Sequence, residues 1–215
     1  MLIAGTVDLS EVMAELAKAR PAFHSEADFQ HAFAWQVHRA DSTIDIRLEI
    51  PQGETEHLDM LCAGPAGRTA IELKYFTAAW KGAGTLPGEL FLLPHQAVTD
   101  KARFGFVNNI VRLEKLCREA DPPTNGLSLL LTNEPSLWTA PNHRRWVRDM
   151  EFRIHEEQTL SGTLRWGNFP KYHPDMERTL AGTYPLRWHD FSTQPGRSGT
   201  FRWLSAGIDT PQRKP

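Results

Sequence analysis

The chain has 215 residues, of which 40% are hydrophobic and 23% charged, so its composition is that of a folded domain rather than of a disordered or fibrous protein. This length can bury a sizeable core, and we predict a single domain over residues 1–215. The formal net charge of −2 argues against a generally basic nucleic-acid binder.

The charge differs between the two parts of the chain. Residues 1–139 carry 12 Lys/Arg against 18 Asp/Glu, a net of −6, and residues 140–215 carry 12 against 8, a net of +4. Such asymmetry is as consistent with a local anion-binding surface as with a chance distribution over a solvated surface.

The sequence shows no sign of a membrane span or of export. No apolar run approaches the roughly 18 residues of a membrane helix, and the first residues lack a basic segment followed by a long apolar one. Cys62 and Cys117 lie far apart and match no zinc-ligand spacing. These features predict a cytoplasmic protein without a membrane partner.

Two helices and three strands are predicted first. Apolar residues at helical spacing indicate a helix over 8–20, which Pro21 ends, and a second helix from the N-cap Ser25 to about Arg39. Alternating or apolar runs then predict strands over the following ranges: 42–50, 57–63 and 69–76. Residues 64–67, Gly-Pro-Ala-Gly, favour a hairpin turn between the second and third strands.

The next predicted elements are a Gly/Pro loop over 81–89, a long helix from Gln96 to Glu119 and a strand over 127–133 that is buried on both faces. After Pro135 the pattern favours a short helix and four strands. These are a helix over 141–150, a hairpin over 152–166, and late strands over 183–192 and 199–208.

Three charged residues interrupt the second and third apolar strands. Asp59 lies in the second, and Glu72 and Lys74 lie in the third. Charged side chains are rarely buried unless they are paired or bind a ligand. Residues two apart in a strand point to one face, so Glu72 and Lys74 project together, and a hairpin would bring Asp59 beside Glu72.

This combination of charges is typical of a metal site. Two neighbouring carboxylates repel each other and require a cation, and hard oxygen ligands suit Mg²⁺, Mn²⁺ or Ca²⁺. A lysine beside them could hold or deprotonate a water, or stabilise the negative charge of a phosphoryl transition state. A short Glu-x-Lys motif is weak by itself, and an exposed Glu–Lys pair on an edge strand is the alternative explanation.

Asp59 and the Glu72-Leu73-Lys74 motif, in the order helix, three strands, helix, strand, resemble the PD-(D/E)XK nuclease superfamily over about residues 25–133. The resemblance implies an α/β fold with a restriction-endonuclease-like core (α-β-β-β-α-β) at about residues 22–134. A mixed central sheet would be flanked by helices, and extra β-rich elements would occupy about residues 135–210. The chain departs from the family name in having Leu58, not proline, before Asp59.

The resemblance also implies roles for individual residues. Asp59, Glu72 and the backbone carbonyl of Leu73 would bind Mg²⁺ or Mn²⁺, and Lys74 would position or activate the water. Glu26, in the first turn of the second helix, would complete or support the metal shell. A glutamate is favoured there by the helix dipole in any case, so the two explanations stay open.

Further residues are candidates for nucleic-acid contacts. Gln96 and Arg103 share a face of the long helix and could contact phosphate, although a solvated helix face explains them as well. Arg144, Arg145 and Arg148 surround Trp146, and arginines bind phosphates while an aromatic ring stacks on a base. A solvated helix with a core tryptophan is the alternative. The histidines at 24, 31 and 38 favour a surface stripe over a zinc site.

The sequence therefore predicts a metal-dependent nuclease that hydrolyses phosphodiester bonds in DNA, or less favourably in RNA. The alternative is a non-catalytic nucleic-acid-binding or assembly subunit with the same fold. No P-loop motif is present, so any NTP-driven step would need a partner protein. A homodimer or a protein partner is compatible with either function, and the sequence identifies no interface.

Overall fold

A six-stranded mixed β-sheet forms the centre of the protein, as the computed structural model shows. The structure describes residues 1–54, 56–142, 146–167 and 171–210. Within these ranges, the helices are α1 (Leu9–Ala19), α2 (Glu26–Ala40) and α3 (Thr99–Glu119), with short 3₁₀ turns at Met150–Phe152 and Pro174–Met176. None of these helices is long and apolar enough to cross a membrane.

Twelve strands are described along the same ranges. They are β1 (Leu2–Ile3), β2 (Val7–Asp8), β3 (Asp45–Pro51), β4 (His57–Gly64), β5 (Gly67–Phe76), β6 (Trp80–Ala83), β7 (Leu90–Leu93), β8 (Asn125–Thr132), β9 (Thr159–Leu164), β10 (Arg178–Pro185), β11 (Trp188–Thr193) and β12 (Thr200–Ile208). The order in the central sheet is β11-β12-β8-β5-β4-β3. Only the pair β5–β8 is parallel, and the other neighbours are antiparallel.

Helices α1 and α2 cover one face of the sheet. Phe29 and Phe33 of α2 are fully buried against Ile71, Leu73 and Tyr75 of β5 in one continuous apolar cluster. The start of α2 agrees with the predicted cap, because the Ser25 Oγ accepts a hydrogen bond from the Asp28 N–H at 3.1 Å. This cap and this packing fix the first turn of α2 beside the middle of the sheet.

Helix α3 and the hairpin β9–β10 cover the opposite face. Phe106 and Ile110 of α3 lie in a second apolar cluster with Leu130 of β8 and Leu204 of β12. The last two strands, β11 and β12, are part of the central sheet, since β12 pairs with β8 from Arg202 to Ile208. The predicted α/β class with a mixed sheet and helices on both faces is confirmed.

Several predicted elements are wrong in their detail. Helix α3 begins at Thr99 rather than at Gln96, and the predicted loop over 81–89 contributes to a hairpin of β6 and β7. No hairpin forms over 152–166, because β9 pairs instead with β10. The predicted strand 183–192 covers the end of β10 and most of β11, and these two strands belong to different sheets. In each case, pairing with a distant segment overrides the local pattern.

The predicted short helix over 141–150 lies partly outside the described residues, because 143–145 are not among them. The described residues 146–149 are not helical, and a 3₁₀ turn begins only at Met150.

Candidate active site

A gap between two central strands creates the candidate site. Strands β4 and β5 pair from Gly64–Gly67 as far as Met60–Ile71, and their pairing ends there. Strand β5 continues beside β8 through Phe76. The backbone of β5 beyond Ile71 has therefore lost its neighbour on the β4 side, and its polar groups need other partners.

Two carboxylates replace the missing strand partner. The Leu73 N–H donates to the Asp59 Oδ2 at 2.6 Å, and the Tyr75 N–H donates to the Glu26 Oε2 at 2.8 Å. Asp59 comes from β4 and Glu26 from the first turn of α2. The divergence of the strands thus explains why acidic side chains reach this part of the sheet, and both were predicted to be near it.

Lys74 lies beside Glu26 at the open side of the gap. Its Nζ is 2.8 Å from the Glu26 Oε2, and the side chains are 39% and 44% exposed respectively. Lys74 is therefore accessible to a ligand from solvent, whereas Glu72 is 4% exposed. The structure brings Asp59 beside Glu72 and Lys74 beside Glu26, and the charge of Glu26 acts on Asp59, so that the four predicted residues lie around one gap.

Asp59 and Glu72 have perturbed acidities. Burial, followed by the negative charges of Glu26 and Glu49, raises the pKa of Asp59, and the hydrogen bond from the Leu73 N–H partly opposes this rise. Burial and then the neighbouring charge of Asp59 raise the pKa of Glu72 to about 8. The protein therefore holds two mutually repelling carboxyls in a poorly solvated position, which is typical of functional sites.

Arg112 of α3 is an additional cation at this site. Its Nη1 lies 3.2 Å from the Glu72 Oε1, and its Nη2 donates to the His57 carbonyl at 2.6 Å. Glu56 lies 3.6 Å from its Nε. The sequence prediction missed this residue, because no local spacing connects a helix on one sheet face with a strand in the centre of the sheet.

Gln30 and Glu49 were also missed. The Gln30 Nε2 donates to the Glu49 Oε1 at 2.8 Å and to the Asp59 carbonyl at 2.7 Å. Glu49 has a φ of 52°, a left-handed conformation that costs free energy in a residue with a side chain. Gln30 follows Glu26 by one helical turn, so the spacing of the two polar residues on α2 was the available signal.

The donor groups suit a hard divalent cation. Mg²⁺ is usually held by one or two carboxylates together with waters and substrate phosphates, and Asp59 and Glu72 supply such a pair. The Leu73 carbonyl lies on the same side of β5 as its N–H, and so faces the gap. Glu26 is engaged by Lys74, and no group of three His, Cys, Asp or Glu side chains in the described ranges has the geometry of a metal site.

The residues predicted to contact nucleic acid occupy different environments. Gln96 lies in the loop before α3, where its Oε1 accepts the Thr77 N–H at 3.1 Å. Arg103 is 4% exposed and bonds Asp149 at 2.6 Å, so its guanidinium is buried in the protein rather than presented to a ligand. The reason is that the helix face chosen from the sequence packs against the 146–152 segment.

Arg148 is exposed and forms an ion pair with Asp100. Its guanidinium also lies 5.6 Å from the centroid of the Trp166 ring. Arg144 and Arg145 lie outside the described residues.

Comparison with protein-family models, with curated proteins and with solved structures gave no match.

Arg112→Ala should lower the free energy of unfolding by about 2 kcal/mol, because it leaves the buried Glu72 carboxylate without its nearest cation. This expected loss is smaller than that for breaking a fully buried ion pair, since the Arg112 side chain is 25% exposed. Urea denaturation at pH 8 measures it. Arg118→Ala, on the same helix but 59% exposed, is the control and should change stability by less than about 0.5 kcal/mol. Equal losses in both variants would contradict a specific Arg112–Glu72 interaction.

Proposed function

We propose that the protein is a metal-dependent nuclease with a restriction-endonuclease-like core, which hydrolyses phosphodiester bonds in nucleic acid, with DNA the favoured substrate. The observation that carries this proposal is that Asp59 lies beside Glu72, and Lys74 beside Glu26, at the gap between β4 and β5. The half-buried Asp59 carboxyl and the buried Glu72 carboxyl, both with raised pKa, together with an accessible ammonium group, are the groups that hydrolytic phosphoryl transfer needs.

Each residue has a role that follows from its position. Asp59 and Glu72 would hold a Mg²⁺ or Mn²⁺ ion, which when bound supplies Lewis acidity toward a water and the scissile phosphate. Lys74 would donate a hydrogen bond to the attacking water or to a phosphate oxygen, since its side chain is 39% exposed and lies beside the Glu26 carboxyl. Glu26 would orient Lys74, because the two side chains are in contact at 2.8 Å.

Residues outside the motif would fix this geometry. Gln30 holds the backbone of Asp59 through its carbonyl, and the Leu73 N–H holds the Asp59 side chain. Both Asp59 anchors come from regular elements, α2 and β5, which position a side chain better than a loop does. The water oxygen would then bond to phosphorus as the ester P–O bond breaks, and the leaving oxygen would take up a proton.

Metal binding tests the proposal without requiring a substrate. Mg²⁺ or Mn²⁺ at ten times its dissociation constant should stabilise the folded protein by about 1.4 kcal/mol, seen as a rise in melting temperature over that in EDTA. Asp59→Asn should abolish this rise, because it removes one of the two proposed ligands.

The matched control is Asp45→Asn on β3, whose side chain is 80% exposed and takes no part in the site. It should keep the full metal-dependent rise. A wild-type protein that is not stabilised by either ion, at any concentration up to the point of aggregation, would refute the proposed metal site.

A non-catalytic nucleic-acid-binding or assembly subunit is the second candidate function. The observation that favours it is that a cationic side chain already lies beside two of the carboxyls, Lys74 beside Glu26 and Arg112 beside Glu72. Such a protein would bind nucleic acid with equal affinity in EDTA and in Mg²⁺, and would not cleave it. Cleavage that depends on the metal ion would exclude this function.

A further inference from the structure

A second concave surface lies beside the N-terminal end of α3, away from Glu72 and Arg112. The turn 146–149 and the segment 171–173 form its walls, and Asp100 closes it on the side of α3. Its volume is about 450 Å³, enough for a planar heterocycle. We refer to this cavity as the Trp146 pocket.

Hydrogen bonds and a buried ion pair fix the walls of the Trp146 pocket. The Gly167 N–H donates to the Arg148 carbonyl at 2.7 Å, and the His173 N–H donates to the Trp166 carbonyl at 3.0 Å. At the base of the turn, Asp149 is 4% exposed and accepts a hydrogen bond from Arg103 at 2.6 Å. The pocket is therefore already formed before a ligand binds, and Arg103 acts as a structural support for it.

Trp146 gives the pocket an aromatic surface. Its side chain remains 43% exposed although tryptophan is the side chain with the largest apolar area to bury. Exposed tryptophan rings in basic grooves stack with nucleobases, and each such contact contributes to binding without strong dependence on base identity. The ring is thus suited to a flat, aromatic ligand.

The charges around the pocket leave a positive excess. Asp149 is compensated by Arg103, and Asp100 by Arg148. Lys171 is exposed and forms no ion pair with any of the residues that the structure describes. The combination of a stacking surface with an uncompensated lysine is complementary to a base that is followed by a phosphate.

We propose that the Trp146 pocket binds an unpaired nucleobase of a single-stranded nucleic acid, with a neighbouring phosphate at Lys171. This inference deepens the proposed nuclease function and rests on it for its biological meaning, because it assigns single-stranded or unpaired segments as the substrate class. The face of a base is available for stacking on both sides only when the base has left its duplex stack.

The pocket and the candidate active site lie at a distance that one strand can span. Asp100 lines the pocket and Arg112 contacts Glu72, and both belong to α3. A helix rises about 1.5 Å per residue, so these two residues are separated by about 18 Å along its axis. At the spacing of about 3.4 Å per nucleotide along one strand of a duplex, this distance corresponds to about five nucleotides, and a more extended single strand would span it with fewer.

Binding of labelled oligonucleotides, followed by fluorescence anisotropy in EDTA, tests the pocket separately from cleavage. Trp146→Ala should weaken the binding of an oligothymidylate by about 10-fold, because it removes one base-stacking contact. The same substitution should leave the binding of an abasic strand of equal length unchanged, since that strand keeps its phosphates but has no bases. Trp35→Ala is the control, because Trp35 is 65% exposed on α2, which covers the sheet face opposite to α3 and the pocket.

Two further variants separate stacking from folding and from charge. Trp146→Phe should keep most of the affinity, whereas Trp146→Leu, which fills similar space without an aromatic ring, should lose it. Lys171→Ala should weaken the binding of the oligothymidylate and of the abasic strand equally. It should also reduce the slope of log affinity against log salt concentration by about 0.7.

The outcomes for the pocket and for the nuclease are distinguishable. Two results would overturn the proposal that the pocket binds a base, even if the protein cleaves DNA in Mg²⁺. One is wild-type affinity for oligothymidylate in both Trp146→Ala and Trp146→Leu, and the other is an equal loss of affinity for the abasic strand. Base-dependent binding through Trp146 with no cleavage in any metal would support the pocket and count against the proposed nuclease.

Discussion

Lys74→Ala is expected to lower the rate of metal-dependent cleavage by about 100- to 1000-fold. The ammonium group is the only cationic member of the motif on β5, and its Nζ lies in the accessible part of the gap. The substitution should leave the fold intact, because Glu26 keeps its hydrogen bond from the Tyr75 N–H. The measurement is the rate of conversion of supercoiled, linear and single-stranded DNA with Mg²⁺, Mn²⁺ or EDTA.

Two variants complete the Lys74 experiment. Lys18→Ala removes a lysine that is 72% exposed on α1 and should leave the rate unchanged. Lys74→Arg keeps the charge but changes its shape, and should recover part of the activity. An unaltered cleavage rate in Lys74→Ala, with the melting temperature of the wild type, would exclude Lys74 from the reaction and would direct attention to Arg112.

The second large effect concerns the pH dependence of stability in EDTA. The folded-state pKa of Glu72 is raised from its ordinary value of 4.5 to about 8, so the folded protein binds more protons than the unfolded chain between these values. The free energy of unfolding should therefore fall as the pH rises through this window, by about 3 kcal/mol between pH 5 and pH 8. Asp59 acts in the same direction, because its pKa is raised as well.

Glu72→Gln should remove most of this dependence, because the amide stays neutral at every pH in the window. Urea denaturation between pH 5 and pH 8 measures the effect, with about 3 kcal/mol expected for the wild type and a nearly flat profile for the variant. Glu119→Gln, at a site on α3 that is 59% exposed, is the control and should follow the wild type. A wild-type profile that rises with pH would contradict the assigned environment of Glu72.

Divalent metal should reverse this pH dependence if Asp59 and Glu72 bind it. The ion binds the ionised carboxylates, so its stabilising effect should grow as the pH rises from 6 to 8. Loss of stability with pH in EDTA, and its recovery in Mg²⁺, would together connect the perturbed carboxyls with the proposed metal site.

The elements that are local in sequence could be predicted from the sequence. Helix α2 was identified from the Ser25 cap and from Phe29 and Phe33, because capping and helical spacing depend on residues within two turns of one another. Strands β3, β4 and β5 followed from apolar alternation and from the Gly64–Gly67 turn. The same local pattern showed where charge interrupts the apolar strands, at Asp59, Glu72 and Lys74.

Contacts between distant segments could not be predicted in this way. Arg112 reaches Glu72 only because α3 packs across β5, and Arg103 is buried only because the 146–152 segment covers it. The pairing of β9 with β10 and of β12 with β8 likewise depends on which edges the rest of the fold leaves open.

The sequence by itself determined the α/β class, the order α1, α2, β3, β4, β5, α3 and β8, and the identity of the charged motif, since each depends on neighbouring residues, whereas β1, β2, β6 and β7 were not predicted. Only the tertiary structure decided that β4 and β5 separate after Met60–Ile71, so that side chains from α2 and β4 take over the hydrogen bonds of Leu73 and Tyr75. The physical reason is that buried backbone groups must be paired, and their partners are selected by the packing of the whole chain.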